Sequence, residues 1–552
     1  MRPAFMDTPQ WKTYAPNWRT ILSAALVVFA FPPWDLSFLI WFALVPWYAA
    51  LYRSPTIKEA AIQGVWMGFF MELGGFPWVA YAIHAYGNLP WPVSILGLII
   101  FCFFGQLQFI PYAAIWRWLR PGEYGLAASF AIRVIVQGLV FAFLYTGIDW
   151  ITPKLFADQL GHVFYQAKYL RQIADIGGVP ILSFGIVLIN ESLWAFFRYW
   201  SHRRTMEFPS KNGVVAQLAL ACLFWLGILI YGHVRFPQIQ KLQGNPDRTV
   251  RMAVIQANIG DFDKVAAEQG VGRAAFNVMT QYYAVTEQAL KLSPVPQTAI
   301  WPETAYPSTF RTPQFPEEYL RDQTLDRFVV EKKLALLFGG YDRIRTRSGS
   351  EEFNAFFFLN ANDTSLQVYR KHNLLLFGEY IPGSKSYLPF LHDWFPTVGN
   401  FGRGDGPKAF PLNFANGSNI VVAPNICYEV LFSDYVLEAV RKGAQAIVNI
   451  TNDSWFGSWI EPHQHLALAT FRTVETRRPL LRATNTGISA LVVPDGTIAE
   501  KTEIGVQEIL NAEVPVIPAI DTLLLKWGNW FAWTSLFLGV FGIFCYWRLR
   551  RH

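Results

Sequence analysis

Three side chains in the polar part of this chain have the types and the placement for covalent chemistry on a carbonyl: Glu303, Lys371 and Cys427. Cys427 ends the apolar run NIVVAPNIC (419–427) and is followed at once by Tyr428 and Glu429. Of the four cysteines, Cys102, Cys222 and Cys545 lie inside long hydrophobic segments, which leaves Cys427 as the only thiol in the polar region, with no disulfide partner there. A thiol becomes a nucleophile when a neighbour removes its proton, and a carboxylate held in a dry site has the raised proton affinity for that task. Glu303, which closes TAIWPET (298–304), is the base of choice. Attack on a carbonyl creates an oxyanion that needs fixed positive charge or aimed N–H groups. Lys371, at the end of LQVYRK (366–371), supplies the charge, with the backbone N–H of Tyr428 beside it.

Each residue alone also has a plain reading. A cysteine after an apolar run is most often buried and inert; Glu303 is a possible helix cap and Lys371 a solvated strand end. His463 and His465 in PHQH (462–465) lack the further ligands of a metal site and read as surface histidines, so neither metal nor cofactor is expected. A cysteine–histidine hydrolase would use His372 or His392, but nothing in the sequence orients either toward Cys427. Trp455 and Phe456 in NDSWFG (452–457) read equally well as core aromatics or as a mobile lid.

The elements that must position these residues belong to a two-part chain. At 552 residues, 52% hydrophobic and with 22 tryptophans, it reads as a membrane protein with a large polar insert. Apolar runs predict spans near 20–33, 36–51, 60–82, 92–116, 126–147, 177–197, 214–233 and 526–547, the first two forming a hairpin through FPPWDLS (31–37). No cleavage site follows the first run, which therefore reads as an anchor. Glu72, Arg133 and Glu191 sit in or near apolar runs, where charges pair inside the bundle or line a polar cavity. Gly64 and Gly68 have the spacing for close helix packing.

Arginines and lysines collect on one set of loops (Arg2, Lys12, Arg19; Arg53, Lys58; Arg117, Arg120; Arg198, Arg203, Arg204, Lys211; the terminal RLRRH), which makes that side cytoplasmic. The opposite loops FPPWDLS and HAYGNLPW carry none, and only the loop at 148–176, with Lys154, Lys168 and Arg171, fits poorly. Counting crossings puts the insert outside the cytoplasm, in the periplasm of a Gram-negative cell. The net charge of +6 gathers at segment ends without forming a stripe, so nucleic acid is not an expected partner.

Within the insert, strands are predicted at TVRMAVIQAN, TAIWPET, LALLFGG, NAFFFLN, LQVYRK, NIVVAPNIC, AIVNIT and RATNTGISALVV. Helices are predicted at 317–333, 433–445 and 461–477, giving an α/β domain with helices layered on sheet. Pro424 cannot donate to a ladder and suggests an edge or bulge just before Cys427.

WPET (301–304), YRKHNLLLFGEYIP (369–382) and NICYE (425–429) resemble the Glu, Lys and Cys blocks of the nitrilase superfamily, in that order. With spans before and after the insert, and with NDSWFG, RTVETRRPLLRATNTGISA (472–490) and KWGNW (526–530), nearly the whole chain is similar to the apolipoprotein N-acyltransferases of Gram-negative inner membranes. That resemblance implies a membrane bundle of about eight helices with an inserted nitrilase-like αββα sandwich, divided as 1–240 (seven spans), 247–520 (catalytic domain) and 521–552 (last span and basic tail). It implies Glu303 as general base, Lys371 as stabiliser and Cys427 as nucleophile. Glu379 would be a second carboxylate holding the site, with Tyr428 and Glu429 shaping the turn at the cysteine. A membrane phospholipid would be the acyl donor and a diacylglyceryl apolipoprotein the acceptor. One departure stands out: the family often has a tryptophan soon after the first domain strand, whereas residues 256–269 hold only Phe262 as an aromatic. Two other readings remain open, a membrane-anchored amidohydrolase for small amides and a transporter whose insert binds ligand.

Overall fold

The computed structural model describes residues 14–119, 130–202, 211–260, 266–267, 272–346, 349–361, 364–381 and 399–551. Phe262, His392 and the side chain of Arg133 lie outside the described residues. The apolar regions form α1 (Trp18–Ala30), α2 (Val45–Arg53), α3 (Ile57–Gly75), α4 (Trp78–Gly87), α5 (Trp91–Phe104), α6 (Phe109–Leu119), α7 (Phe130–Ile151), α8 (Ala174–His202) and α9 (Lys211–Gly244). Among the described residues four helical stretches are long and apolar enough to cross a membrane: Trp91–Leu119, Val134–Ile151, Leu170–Ser201 and Lys211–Gly244. Shorter apolar helices cover Trp18–Ala30 and Trp530–Cys545.

The single span expected at 60–82 is two helices, α3 and α4, parted at Phe76 and Pro77; proline cannot extend the helical ladder and biases its predecessor away from it. Gly64 and Gly68 do permit close packing. A Cβ on Gly64 would strike the Phe109 carbonyl, and one on Gly68 would lie 2.9 Å from that of Gln106. Glu191 is paired within the protein, its Oε1 accepting from the Tyr112 hydroxyl (3.1 Å) and the Trp116 indole (2.8 Å). Glu72 is buried against Gly105.

By compactness the chain divides into two units, one comprising the chain up to Pro77, Ile95–His233 and the stretch from Asn529, the other Trp78–Ser94 with Val234–Gly528. The second unit holds α10 (Gly272–Ala289), α11 (Pro316–Lys332), α12 (Ser433–Arg441), α13 (Glu461–Thr476) and α14 (Leu523–Trp527); α15 (Trp530–Arg551) returns to the first.

Its strands are β1 (Arg248–Gln256), β2 (Thr298–Ile300), β3 (Ala335–Thr346), β4 (Gly349–Leu359), β5 (Leu366–Arg370), β6 (Phe410–Asn413), β7 (Asn419–Ile426), β8 (Ala446–Thr451), β9 (Leu480–Thr484), β10 (Ala490–Val492), β11 (Ile498–Lys501) and β12 (Glu508–Val516). They form two six-stranded sheets, ordered β12-β1-β2-β3-β4-β5 and β11-β10-β9-β8-β7-β6. Alternation along the strands divides each sheet into two faces. Ala253, Ile255, Trp301, Leu336, Phe338 and Phe357 pack with Val278, Tyr282 and Val285 of α10 and Leu325 and Val329 of α11. On the other face Gln256 of β1 accepts hydrogen bonds from Ser489, Thr502 and Thr484 (2.7, 2.7 and 3.1 Å), tying the two sheets together.

The expected strands and helices of the insert all occur, with two revisions near the site. β2 ends at Ile300, three residues before Glu303: Trp301 still donates to the Leu337 carbonyl, but Pro302 has no N–H to continue the ladder. β7 is not an edge strand, yet Pro424 lies at a local edge as expected: its ladder with β8 is intact, while β6 pairs β7 only as far as Val422, so the missing donor falls where β6 has ended.

Candidate active site

Glu303, Lys371 and Cys427 each follow the end of a strand, on β2, β5 and β7 respectively, where open α/β sheets gather chemistry. The segment carrying Glu303 is anchored by its tryptophan. Trp301 is buried, stacks on Tyr282 of α10 at 5.0 Å and donates its indole N–H to Thr286 (2.9 Å). Lys371 is set by its own backbone, donating to the Asn354 carbonyl of β4 at 2.9 Å. Cys427 opens the short 3₁₀ turn Cys427–Leu431 with φ at +55°, a conformation costing a non-glycine residue on the order of 1–3 kcal/mol and kept only where surroundings enforce it.

Glu429 is part of that enforcement. It is fully buried, and its two oxygens accept from the backbone N–H groups of His372 (2.8 Å), Asn373 (3.0 Å) and Ile426 (2.9 Å) and from the Tyr369 hydroxyl (2.8 Å). One carboxylate thus ties the turn after β7 to the segment after β5.

The side chains converge on the Lys371 ammonium. It donates to Glu379 Oε1 at 2.8 Å and to Glu303 Oε1 at 3.4 Å, and lies 5.6 Å from the centre of the Tyr428 ring. Asn354 Nδ2 bridges the same two carboxylates, at 2.7 Å to Glu303 and 2.8 Å to Glu379. The remaining Glu303 oxygen, Oε2, accepts from the Asn452 N–H at 3.1 Å, and Glu379 Oε2 accepts from that of Leu375 at 2.8 Å. Burial alone would depress the Lys371 ammonium, but Glu303 and Glu379 outweigh it and hold the group well above its ordinary value, so it stays cationic. Burial, reinforced by Glu303, pushes the Cys427 thiol far up, with Lys371 pulling the other way. The resting thiol therefore keeps its proton at neutral pH.

Residues 23–192 match the apolipoprotein N-acyltransferase N-terminal domain, and residues 251–517 match the carbon-nitrogen hydrolase domain. The apolipoprotein N-acyltransferase of Bdellovibrio bacteriovorus is 32% identical over 94% of this chain and 91% of its own length. The chain belongs to the apolipoprotein N-acyltransferase family. The Geobacter metallireducens enzyme of the same name is 29% identical over 94% of this chain and 92% of its own. With Nit3 of Saccharomyces cerevisiae, a nitrilase-superfamily protein of known structure, the chain shares 19% identity over 51% of its length and 96% of that chain, at a TM-score of 0.36.

In this N-acyltransferase family member, sequence reasoning missed Asn354, because an asparagine in NAFFFLN carries no signal until β4 places it beside the residue after β5. The histidine reading needs correction. His465 is not on the surface: it is 4% exposed, and its Nδ1 lies 3.0 Å from Glu461 Oε1 and 3.6 Å from Asp453 Oδ1. His465 faces inward because α13 packs that side against the turn Asp453–Phe456, while His463 is half-buried. Asp453, Glu461 and His465 place their donor atoms within 4.8 Å of one another, a spacing that could suit a metal ion. Arg482, however, already grips both oxygens of Asp453 at 2.8 and 2.7 Å and supplies positive charge there. Although burial opposes it, Arg482 and His465 hold the Asp453 carboxyl down to about 2.

Phe456 is a buried aromatic, its ring edge-on to Trp78 at 5.1 Å; Trp78 in turn donates to Gln464 of α13 at 3.1 Å. Trp455 is half-buried and Trp459 exposed. His372 uses its Nδ1 on the Gly404 carbonyl at 2.6 Å.

Proposed function

We propose that the chain moves an acyl chain from a membrane phospholipid to the N-terminal diacylglyceryl-cysteine of an apolipoprotein, by way of a thioester on Cys427. In the first half-reaction Glu303 takes the thiol proton as sulfur attacks the ester carbonyl of the phospholipid. Lys371 and the Tyr428 N–H stabilise the tetrahedral oxyanion. Its collapse releases the lysophospholipid, which carries away the proton held by Glu303. In the second, Glu303 accepts a proton from the α-amine of the acceptor as nitrogen attacks the thioester, and the thiol re-forms. Amine attack on a thioester is downhill, which is the reason for the covalent detour.

The observation that carries this reading is the buried Lys371 held between Glu303 and Glu379, each of which has its second oxygen fixed by a backbone N–H. Glu379 shares the Lys371 ammonium with Glu303, and Asn354 donates to both carboxylates, so the base is held beside the cation by fixed hydrogen bonds.

The membrane part, to about residue 240, would supply seven of eight spans, residues 247–520 the catalytic domain, and 521–552 the last span and a basic cytoplasmic tail. This arrangement puts the protein in a bacterial inner membrane with catalysis in the periplasm, and both acyl substrates are bilayer residents. In cells relying on this chain, Cys427→Ala should accumulate apolipoproteins whose N-terminal cysteine has a free amine by mass spectrometry. Full N-acylation by Cys427→Ala protein would sink the thioester route, and ammonia release from small amides without phospholipid would favour a hydrolase.

A further inference from the structure

Outside the residues that touch substrate in this scheme, one buried side chain reaches toward both the nucleophile and the base. Arg482 lies on β9 directly across from Asn449 of β8, and its guanidinium is fully enclosed. One arm, Nη1, donates to Asn449 Oδ1 at 2.9 Å, and Asn449 Nδ2 donates to the backbone carbonyls of Cys427 at 2.9 Å and Asn425 at 3.3 Å. The other arm, Nη2, donates to both oxygens of Asp453. Asp453 follows directly on Asn452, whose N–H holds Glu303 Oε2. Thr451 also donates to Asp453, at 3.1 Å, and Gly487 leaves no room beside that carboxylate: a Cβ there would collide with Asp453 Oδ2.

We infer that Arg482 is a positioning residue that fixes the Cys427 turn and the Glu303 carboxylate relative to one another through a single planar guanidinium. The inference rests on Glu303 serving as the base for Cys427. A plain structural account, a buried ion pair that steadies the core, explains less. Burying a charge pair gives little net stability compared with apolar residues of similar size, whereas a rigid fork sets two acceptors in one plane, which a lysine cannot do. The left-handed turn at Cys427 needs such outside enforcement, and Asn449 holds its carbonyl from below the strand end.

The test is the rate at which iodoacetamide alkylates Cys427, read by peptide mass spectrometry on full-length protein in detergent, for wild type, Arg482→Lys, Glu303→Gln and the double variant. Misplacing a positioned group by about 1 Å costs roughly a hundredfold, so Arg482→Lys should slow alkylation by about tenfold to a hundredfold while Glu303 is present. In the Glu303→Gln background it should change the rate by less than about twofold, because what it sets is the position of the thiol relative to that base. Equal slowing in both backgrounds would mark a general structural role and overturn the inference, as would a wild-type rate in Arg482→Lys. If Lys at 482 prevents folding, Arg482→Gln combined with Asp453→Asn leaves no lone buried charge and should give the same background-dependent loss; a wild-type rate there overturns the inference equally. A wild-type rate in Glu303→Gln removes the base and the inference with it, whereas slow Glu303→Gln beside unaffected Arg482 variants removes the inference alone.

Discussion

At the scale of single residues, the site balances charges that burial would otherwise suppress. Lys371 has two carboxylate neighbours and almost no solvent, so in the proposed mechanism its positive charge would be in place before an oxyanion forms and would need no reorganisation. Replacing it with methionine keeps the stem and removes the charge; losing one such stabiliser typically costs ~3–4 kcal/mol. Acyl-enzyme formation by Lys371→Met should therefore fall about two to three orders of magnitude in single-turnover assays, and a near-normal rate would take the lysine out of the mechanism. Glu303, Lys371 and Cys427 could be singled out because charged or nucleophilic residues follow apolar strands at their ends, whereas Glu379, in a turn, came only from the family resemblance. Asn354 was not legible: its value comes from bridging Glu303 and Glu379, two residues far from it in sequence. Arg482 was equally hidden, one arginine among several in 472–490 until the sheet register set it opposite Asn449.

At the scale of elements, short apolar runs such as AIVNIT, buried along its whole length, and helices with outward charge such as 317–333 could be read because local pattern and tertiary role agree. β12 could not. Its EILNAEVPV has weak alternation, and it is made a strand by antiparallel pairing with β1 along its whole length. The inward face of α13 was misread for a related reason, since PHQH alone does not show which side of the helix packs. There, His465 faces Glu461 on its own helix, Asp453 on the preceding turn and Arg482 from β9. Burial and Arg482 lower the imidazole's proton affinity, but Asp453 and Glu461 prevail and raise it above the ordinary 6.5. A raised histidine contributes stability fully below its unfolded value and loses it as pH climbs through the folded value. Asp453, held near 2, contributes above the ordinary carboxylate range and loses that only in strong acid, so it is constant near neutrality. The gap in thermal midpoint between wild type and His465→Gln should be widest near pH 6 and narrow as pH rises toward 9. A gap independent of pH would remove the imidazolium charge from this cluster.

At the scale of the whole molecule, the loop at 148–176 was the weak point in reading sidedness, and two of its three basic residues are internally satisfied, while Lys168 is exposed. Lys154 is buried, donating to Asp149 at 2.7 Å and to the Asp158 carbonyl at 2.6 Å, and Arg171 is buried against the Tyr165 carbonyl at 2.7 Å. Neither behaves as a free loop charge, so neither weighs against the orientation proposed from the other loops. A reporter fused after residue 245 should read as periplasmic and one at the C-terminus as cytoplasmic; two reporters on the same side would break the eight-span count. The helix lengths did not reveal that count, because α1 and α2 are short and proline parts α3 from α4. The central claim concerns the chain as a carrier of one acyl group between two lipids, and it is tested most directly by giving the purified protein a phospholipid with a labelled acyl chain and no acceptor. One label per chain should appear on the peptide containing Cys427, and neutral hydroxylamine should release it, as it does thioesters but not amides. A label that resists hydroxylamine, or that persists in Cys427→Ala, would contradict the account.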